Sequence, residues 1–128
     1  MEPSLFTLEY YIAETGKIPF KDWLENLKDI HARAKIRVAL DRVRLGNFGH
    51  AKFIGEGINE LKIDFGPGYR VYYALAGDAI VLLLLGGDKA SQSKDIVRAK
   101  EYWKEFKRRW YKWQQKQKRA IRKTLSKA

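Results

Sequence analysis

Three apolar segments in the middle of the chain are separated by turns so short that each must fold back beside the previous one. Residues 58–65 and 69–75 are joined by the Gly-Pro-Gly of residues 66–68, and residues 79–85 follow the Gly-Asp of residues 77–78. Glycine and proline favour tight turns because they supply unusual or fixed backbone angles. Two consecutive hairpins predict an antiparallel meander of three strands. The third segment is apolar throughout, which predicts a strand covered on both faces.

The segments around this meander predict one more strand and three helices. Residues 5–11 are rich in aromatic and β-branched side chains and predict a first strand. Apolar side chains recur with helical spacing within residues 20–27 and 29–45, and again from about Ser91 to Trp113. We therefore predict an α+β fold in the order strand, helix, helix, three-stranded meander and a long C-terminal helix.

Positive charge is concentrated at the C-terminal end of the chain. Residues 107–128 contain ten Lys and Arg and no acidic residue, whereas residues 1–106 contain 16 basic and 15 acidic residues. We therefore predict a domain over residues 1–106 and a basic helical extension over residues 107–128. A block of like charge indicates a polyanionic partner such as nucleic acid. A tail that only aids solubility is the alternative, but the aromatic residues within it favour binding.

Several classes of protein are disfavoured by what the sequence lacks. The sequence has no cysteine, which excludes disulfides and thiolate metal sites and fits a reducing cytosol. The first residues do not resemble a secretion signal, and the longest apolar run is too short to cross a membrane. The two histidines, His31 and His50, have no metal-ligand spacing, and the glycine pairs lack that of phosphate-binding loops. We expect a cytoplasmic protein without a metal or cofactor and without a membrane partner.

The alternation of side chains along the first predicted hairpin gathers polar residues on one face. Glu60, Lys62, Arg70 and Tyr72 should share a sheet surface that the first two helices leave uncovered, and Lys89 should lie near its end. One interpretation is an ordinary solvated face with weak cross-strand ion pairs. The other is a site that binds and polarises a phosphodiester.

Phosphodiester chemistry on RNA suits a cluster of fixed cations. The 2′-hydroxyl of RNA is a built-in nucleophile, so cleavage needs no cofactor. Arg and Lys donors can stabilise the extra negative charge that develops on the phosphate. We therefore take Lys62, Arg70 and Lys89 as candidate catalytic residues of a metal-independent endoribonuclease. Glu60 is either a base with a raised pKa or the structural partner of Arg70 or Lys62.

The segments that carry these residues also resemble a known family. They resemble the addiction-module killer branch (HigB-like, or phage Gp49-like) of the RelE/ParE toxin superfamily over roughly Phe6 to Phe106. The combination of the hairpin GPGYRVYY with a following GGDKxxQxxDI is the most specific feature. The matching segments are residues 57–63, 66–73 and 83–96, with residues 20–24 and 46–49 upstream.

The resemblance implies a fold, an activity and a set of partners. It implies the RelE-like small domain and the toxin of a type II toxin–antitoxin system, a ribosome-dependent mRNA endonuclease that inhibits translation. It also implies a cytoplasmic location and a cognate antitoxin, generally of the helix-turn-helix type. The toxin–antitoxin complex would bind operator DNA through the antitoxin.

The resemblance also suggests individual roles. Arg70 corresponds to the strand arginine that contacts the scissile phosphate, and Lys62 and Lys89 to the other basic positions. Tyr72 is a candidate for stacking on a base. Gln92 and Asp95 match motif positions that either contact RNA or hold the start of the last helix. No histidine matches the proton-transfer residue of some relatives. The further residues expected to bind RNA are Lys94, Arg108, Arg109, Lys112 and Trp113.

Two other functions remain open at this point. A ParE-like inhibitor of DNA gyrase would share the fold without the RNA chemistry. A non-catalytic nucleic-acid-binding accessory protein of a phage or transposon would use the basic surface alone. The cations on the strands and at the helix start favour the endonuclease.

Overall fold

The chain forms a five-stranded mixed sheet with helices on both faces, seen in a computed structural model that describes residues 4–127. The strand order is β1-β5-β4-β3-β2; β1 runs parallel to β5, and the other neighbours are antiparallel. The elements are β1 (Thr7–Tyr10), α1 (Pro19–Asn26), α2 (Ile30–Arg44), β2 (His50–Gly55), β3 (Ile58–Ile63), β4 (Tyr69–Ala76), β5 (Ile80–Asp88) and α3 (Gln92–Ser126).

The predicted α+β class, the meander and the long C-terminal helix are confirmed. β3, β4 and β5 pair in succession as antiparallel neighbours, and β5 lies between β4 and β1. Residues 81–87 of β5 are all buried, as expected for a strand covered on both faces.

The sequence interpretation missed one strand. Residues 50–55, for which no element was predicted, form the edge strand β2, which pairs with β3. The turn between them consists of Glu56 and Gly57, which both have positive φ. This combination is the mark of a type I′ hairpin, but Asn-Gly and Asp-Gly are its strong sequence signals. Because Glu56 occupies the first position of the turn, the sequence does not show the usual signal of this hairpin.

Two hydrophobic cores lie on opposite faces of the sheet. Phe20 of α1 and Ile36 of α2 pack with Val71 on one face. Ala99 of α3 packs with Ile58 and Leu84 on the other face. Successive side chains of a strand alternate between the α1–α2 side and the α3 side, except at the irregularity in β5, where Leu84 and Leu85 both pack on the α3 side.

The pair Gly86-Gly87 at the end of β5 allows helices to approach the sheet from both sides. A Cβ on Gly86 would lie 2.0 Å from the Trp23 ring of α1, and one on Gly87 would lie 1.8 Å from Oδ2 of Asp95 in α3. Both distances are far below van der Waals contact, so only glycine fits either position without movement of its neighbour. The pair lies within strand β5, so its glycines serve close packing and do not form a turn.

Helix α3 contains 35 residues and extends well beyond the sheet. Its side chains from residue 116 to residue 127 are all exposed. Trp110 and Trp113 stack on each other with ring centroids 5.1 Å apart, and each is about half exposed. Between residues 4 and 127, no helix combines the length and the apolar character needed to cross a membrane.

Candidate functional site

Polar side chains form rows across three adjacent strands on the α3 side of the sheet. Lys62 in β3 lies opposite Arg70 in β4 and also opposite His50 in β2. In the next row, Glu60 lies between Tyr72 and Lys52. Directly paired residues of an antiparallel sheet project to the same face. The prediction that Glu60, Lys62, Arg70 and Tyr72 share a face is therefore confirmed by the strand register.

The three cations proposed as catalytic line one depression at the end of the sheet. Lys62 and Arg70 contribute from the strands, and Lys89 from the segment that joins β5 to α3. The depression has a volume of about 330 Å³. Its remaining wall consists of Asp64, Phe65 and the Gly-Pro-Gly turn of residues 66–68. The structure thus brings together three cations that are separated in the sequence.

The three cations differ in how firmly they are held. The Arg70 side chain is 7% exposed and donates from Nη1 to the Gly68 carbonyl oxygen at 2.7 Å. Its buried Nε has no hydrogen-bond partner within the described chain. Lys62 Nζ lies 3.4 Å from Asp64 Oδ1 in an exposed ion pair, which contributes little stability. Lys89 is exposed and forms no salt bridge with any residue from 4 to 127.

Glu60 and Tyr72 of the second row are covered by α3 and do not form a solvated surface. Glu60 is 3% exposed, and its Oε2 accepts a hydrogen bond from Nε2 of Gln92 at 2.9 Å. Tyr72 is completely buried, which corrects the suggestion that its ring stacks on a base. Burial raises the pKa of the Tyr72 phenol, and the nearby carboxylates of Glu60 and Asp95 raise it further. The phenol therefore stays protonated near neutral pH.

Asp95 belongs to the helix start and does not line the depression. It is 5% exposed, and its Oδ2 accepts a hydrogen bond from the Ser91 hydroxyl at 2.5 Å. The Ser91 backbone N–H in turn donates to Oδ1 of Asp88 at 3.2 Å. Burial raises the pKa of the Asp95 carboxyl. Of the two interpretations for Gln92 and Asp95, these contacts favour a structural role that fixes the start of α3 beside Lys89.

The residues predicted to bind RNA outside this depression fall into separate groups. Lys94 is exposed in the first turn of α3, while Arg108, Lys112 and Trp113 are exposed in its distal part. The distal part begins near the turn between β4 and β5, where Trp110 lines a pocket with residues 75–80. The depression lies at the other end of that hairpin. The structure therefore does not bring the basic extension and the three cations into one site.

The guanidinium of Arg109, one of the residues predicted to bind RNA, makes contacts within the fold. Its Nε donates to Oε2 of Glu105 at 2.5 Å, and its Nη2 donates to the Ile12 carbonyl oxygen at 2.6 Å. Glu105 also accepts a hydrogen bond from the Tyr11 hydroxyl at 2.9 Å. These contacts hold α3 against the end of β1 and leave Arg109 less available to a ligand.

Sequence reasoning missed His50 and Lys52, because β2 was not recognised. The only available signal was the weak alternation of residues 50–54 after Gly49. Asp64 was also missed as a member of the depression wall, although its alternation with Lys62 places it on the same face. Among the residues that the structure describes, no three His, Asp or Glu side chains form a group that could hold a metal ion.

The fold and the site together define a small α+β protein with a cationic depression at one end of its sheet. Residues 22–108 match the family described as phage-derived protein Gp49-like (DUF891), and the chain belongs to this family. An uncharacterised protein of Haemophilus influenzae is 48% identical over 83 residues, which cover 65% of this chain and 84% of that protein. The residues that line the depression all lie within the family match, whereas residues 109–128 lie beyond it.

Proposed function

We propose that this protein is the toxin of a type II toxin–antitoxin pair and acts as a metal-independent endoribonuclease. In this proposal it belongs to the RelE/ParE superfamily and cleaves mRNA on the ribosome, which halts translation. The observation that carries the proposal is the meeting of Lys62, Arg70 and Lys89 around one open depression. Membership of a phage-derived family and the resemblance of the hairpin and helix-start motifs support it.

The depression suits a phosphodiester within a polymer. It is shallow and lies at the surface, so a chain can pass across it without being enclosed. Its polar lining and three cations match a single phosphate group with its two bridging oxygens. A compact apolar ligand would need a deeper pocket.

Arg70 is the residue best placed to stabilise a transition state. Its hydrogen bond to the Gly68 carbonyl oxygen fixes the guanidinium before substrate arrives. Donors fixed in advance stabilise developing charge without a reorganisation cost at the moment of reaction. Lys62 and Lys89 would supply further positive charge to the non-bridging oxygens of the phosphate as negative charge accumulates there.

The basic extension would contribute affinity for RNA, whereas cleavage would take place at the depression. Its exposed cations, including Arg108 and Lys112, follow the helix away from the sheet. Cations on such a surface bind nucleic acid by releasing its counterions, independently of sequence. The exposed pair Trp110 and Trp113 offers aromatic faces for stacking. Ribosomal RNA and mRNA are the ligands that we propose for this surface.

The remaining partners follow from the proposed toxin role. A cognate antitoxin, generally with a helix-turn-helix domain, would bind the toxin in the cytoplasm and block its activity. The pair would bind operator DNA through the antitoxin.

Inducible expression with parallel readouts of translation, replication and mRNA ends tests this function. We expect growth arrest, loss of protein synthesis and new mRNA ends, all abolished in the Arg70→Ala, Lys89→Ala double variant. Arg37→Ala, Lys104→Ala is a matched control, because both of its side chains are exposed on helices away from the depression. Arrest that begins with loss of DNA replication would instead identify a gyrase inhibitor. Arrest that persists in the double variant would remove the catalytic role of these cations.

A further inference from the structure

His50 begins a row of three side chains on adjacent strands. It lies opposite Lys62, which lies opposite Arg70. Neighbouring strands are about 4.8 Å apart, so the row spans about 10 Å. Ala51 packs against the core under α1 and α2, and His50, its neighbour in the strand, therefore projects to the α3 side. This row places the imidazole of His50 next to Lys62, which lines both the depression and the neighbouring groove that His50 borders.

The row contains one group able to accept a proton. The side chains of Lys62 and Arg70 act only as donors, as does that of Lys89, whereas a neutral imidazole has a free nitrogen lone pair. Cleavage of RNA through its 2′-hydroxyl requires a base as well as charge stabilisation. An imidazole suits this task because it can exchange a proton near neutral pH.

We propose that His50 is the general base of the RNA cleavage reaction, an inference that rests on the proposed function. The 2′-hydroxyl proton passes to the imidazole as the bond between the 2′-oxygen and phosphorus forms. The bond between phosphorus and the 5′-oxygen breaks, and this oxygen takes a proton from water. The products are a 2′,3′-cyclic phosphate and a free 5′-hydroxyl, and the imidazolium returns its proton to solvent.

Three other acceptors near the row are less suited to this task. Glu60 is buried, and Gln92 already donates a hydrogen bond to its Oε2. Tyr72 is completely buried and cannot touch a substrate. Asp64 lines the depression, but its Oδ1 is already engaged by the Lys62 ammonium at 3.4 Å.

His31 provides a natural control. It lies in the first turn of α2, and it borders the groove between that helix and the sheet, which His50 also borders from its edge strand. Both side chains are exposed. The strand register sets His50 apart, because it pairs His50 with Lys62 while His31 has no place in the sheet.

The test compares His50→Ala with His31→Ala on ribosomes programmed with mRNA. Single-turnover cleavage is measured beside binding of the same complex carrying a 2′-deoxynucleotide at the cut position, which cannot be cleaved. We expect His50→Ala to lower the cleavage rate by at least about a hundredfold and to leave binding unchanged. Free imidazole should restore part of the rate to His50→Ala, and His31→Ala should cleave within about threefold of the wild type, a far smaller change than the loss of a base produces.

The outcomes separate this inference from the proposed function. Wild-type protein that leaves mRNA intact would overturn both. Wild-type protein that cleaves while His50→Ala cleaves within tenfold of it would overturn the role of His50 alone. So would an equal loss in His31→Ala, or a loss in His50→Ala that accompanies weaker binding and resists imidazole.

Discussion

Gln92 in the first turn of α3 donates a hydrogen bond to Glu60 in β3, with 2.9 Å between Nε2 and Oε2. This bond links two residues that are 32 positions apart in the sequence, and it supplies a hydrogen-bond donor to the buried carboxylate of Glu60. It holds the start of α3, and therefore the preceding Lys89, against the strands that carry Lys62 and Arg70. The polar residues at the start of α3 therefore affect the depression indirectly, because they fix where Lys89 lies.

We expect Gln92→Ala to destabilise the fold by about 1–3 kcal/mol, because it leaves the buried Glu60 carboxylate without its donor. Denaturant unfolding measures this loss. Ser93→Ala is the control, since Ser93 is exposed in the same turn and should change stability by less than about 0.5 kcal/mol. Equal stability of the two variants would show that the hydrogen bond has no net effect.

Gly87→Ala should destabilise the fold by about 1–3 kcal/mol through overpacking, because its new Cβ meets Oδ2 of Asp95. The double variant Gly87→Ala, Asp95→Ala removes the carboxylate oxygen with which the new Cβ would clash. A double-mutant cycle from denaturant unfolding should therefore give a favourable coupling of at least about 0.5 kcal/mol. Additive effects of the two substitutions would contradict the close approach of α3 to β5.

Tyr72→Phe should leave both stability and cleavage nearly unchanged. The Tyr72 hydroxyl is buried and has no hydrogen-bond partner within residues 4–127, so its removal sacrifices no bond. Thermal unfolding and a cleavage assay measure the two effects. A tenfold loss of cleavage in a stable variant would contradict this expectation. It would indicate that Tyr72 takes part in the reaction and that α3 moves away to expose it.

The basic extension is best tested by neutralising its distal charges. Replacement by Gln of the six cations beyond Trp113 should weaken RNA binding and flatten its dependence on salt, because fewer counterions are released. The contacts of Arg109 with Glu105 and Ile12 remain in this variant, so its thermal stability should not change. An unchanged salt dependence would identify the extension as a solubility device. The six residues are Lys116, Lys118, Arg119, Arg122, Lys123 and Lys127.

The sequence was sufficient to predict the elements whose neighbours are set by short turns. Two tight turns dictated that β3, β4 and β5 pair in order, and alternation then placed Lys62 beside Arg70. The edge strand β2 could not be predicted in the same way, because its turn uses Glu56 at a positive φ that this residue rarely adopts.

Long-range packing was beyond the reach of the sequence. The burial of Glu60 and Tyr72 depends on where α3 lies over the sheet, which no local pattern encodes. The hydrogen bond from Arg109 to the Ile12 carbonyl oxygen could not be predicted for the same reason, since the two residues are 97 positions apart. The row that begins with His50 required both the missing strand and its register.

The most direct test of the central claim is single-turnover cleavage of ribosome-bound mRNA by Arg70→Ala, beside Arg37→Ala as an exposed control on α2. We expect Arg70→Ala to be slower by about a hundredfold or more, the usual loss when one fixed transition-state donor is removed. Arg37→Ala should match the wild type. A loss of less than tenfold in a folded Arg70→Ala protein would contradict the claim that this depression stabilises a phosphate as its bond breaks.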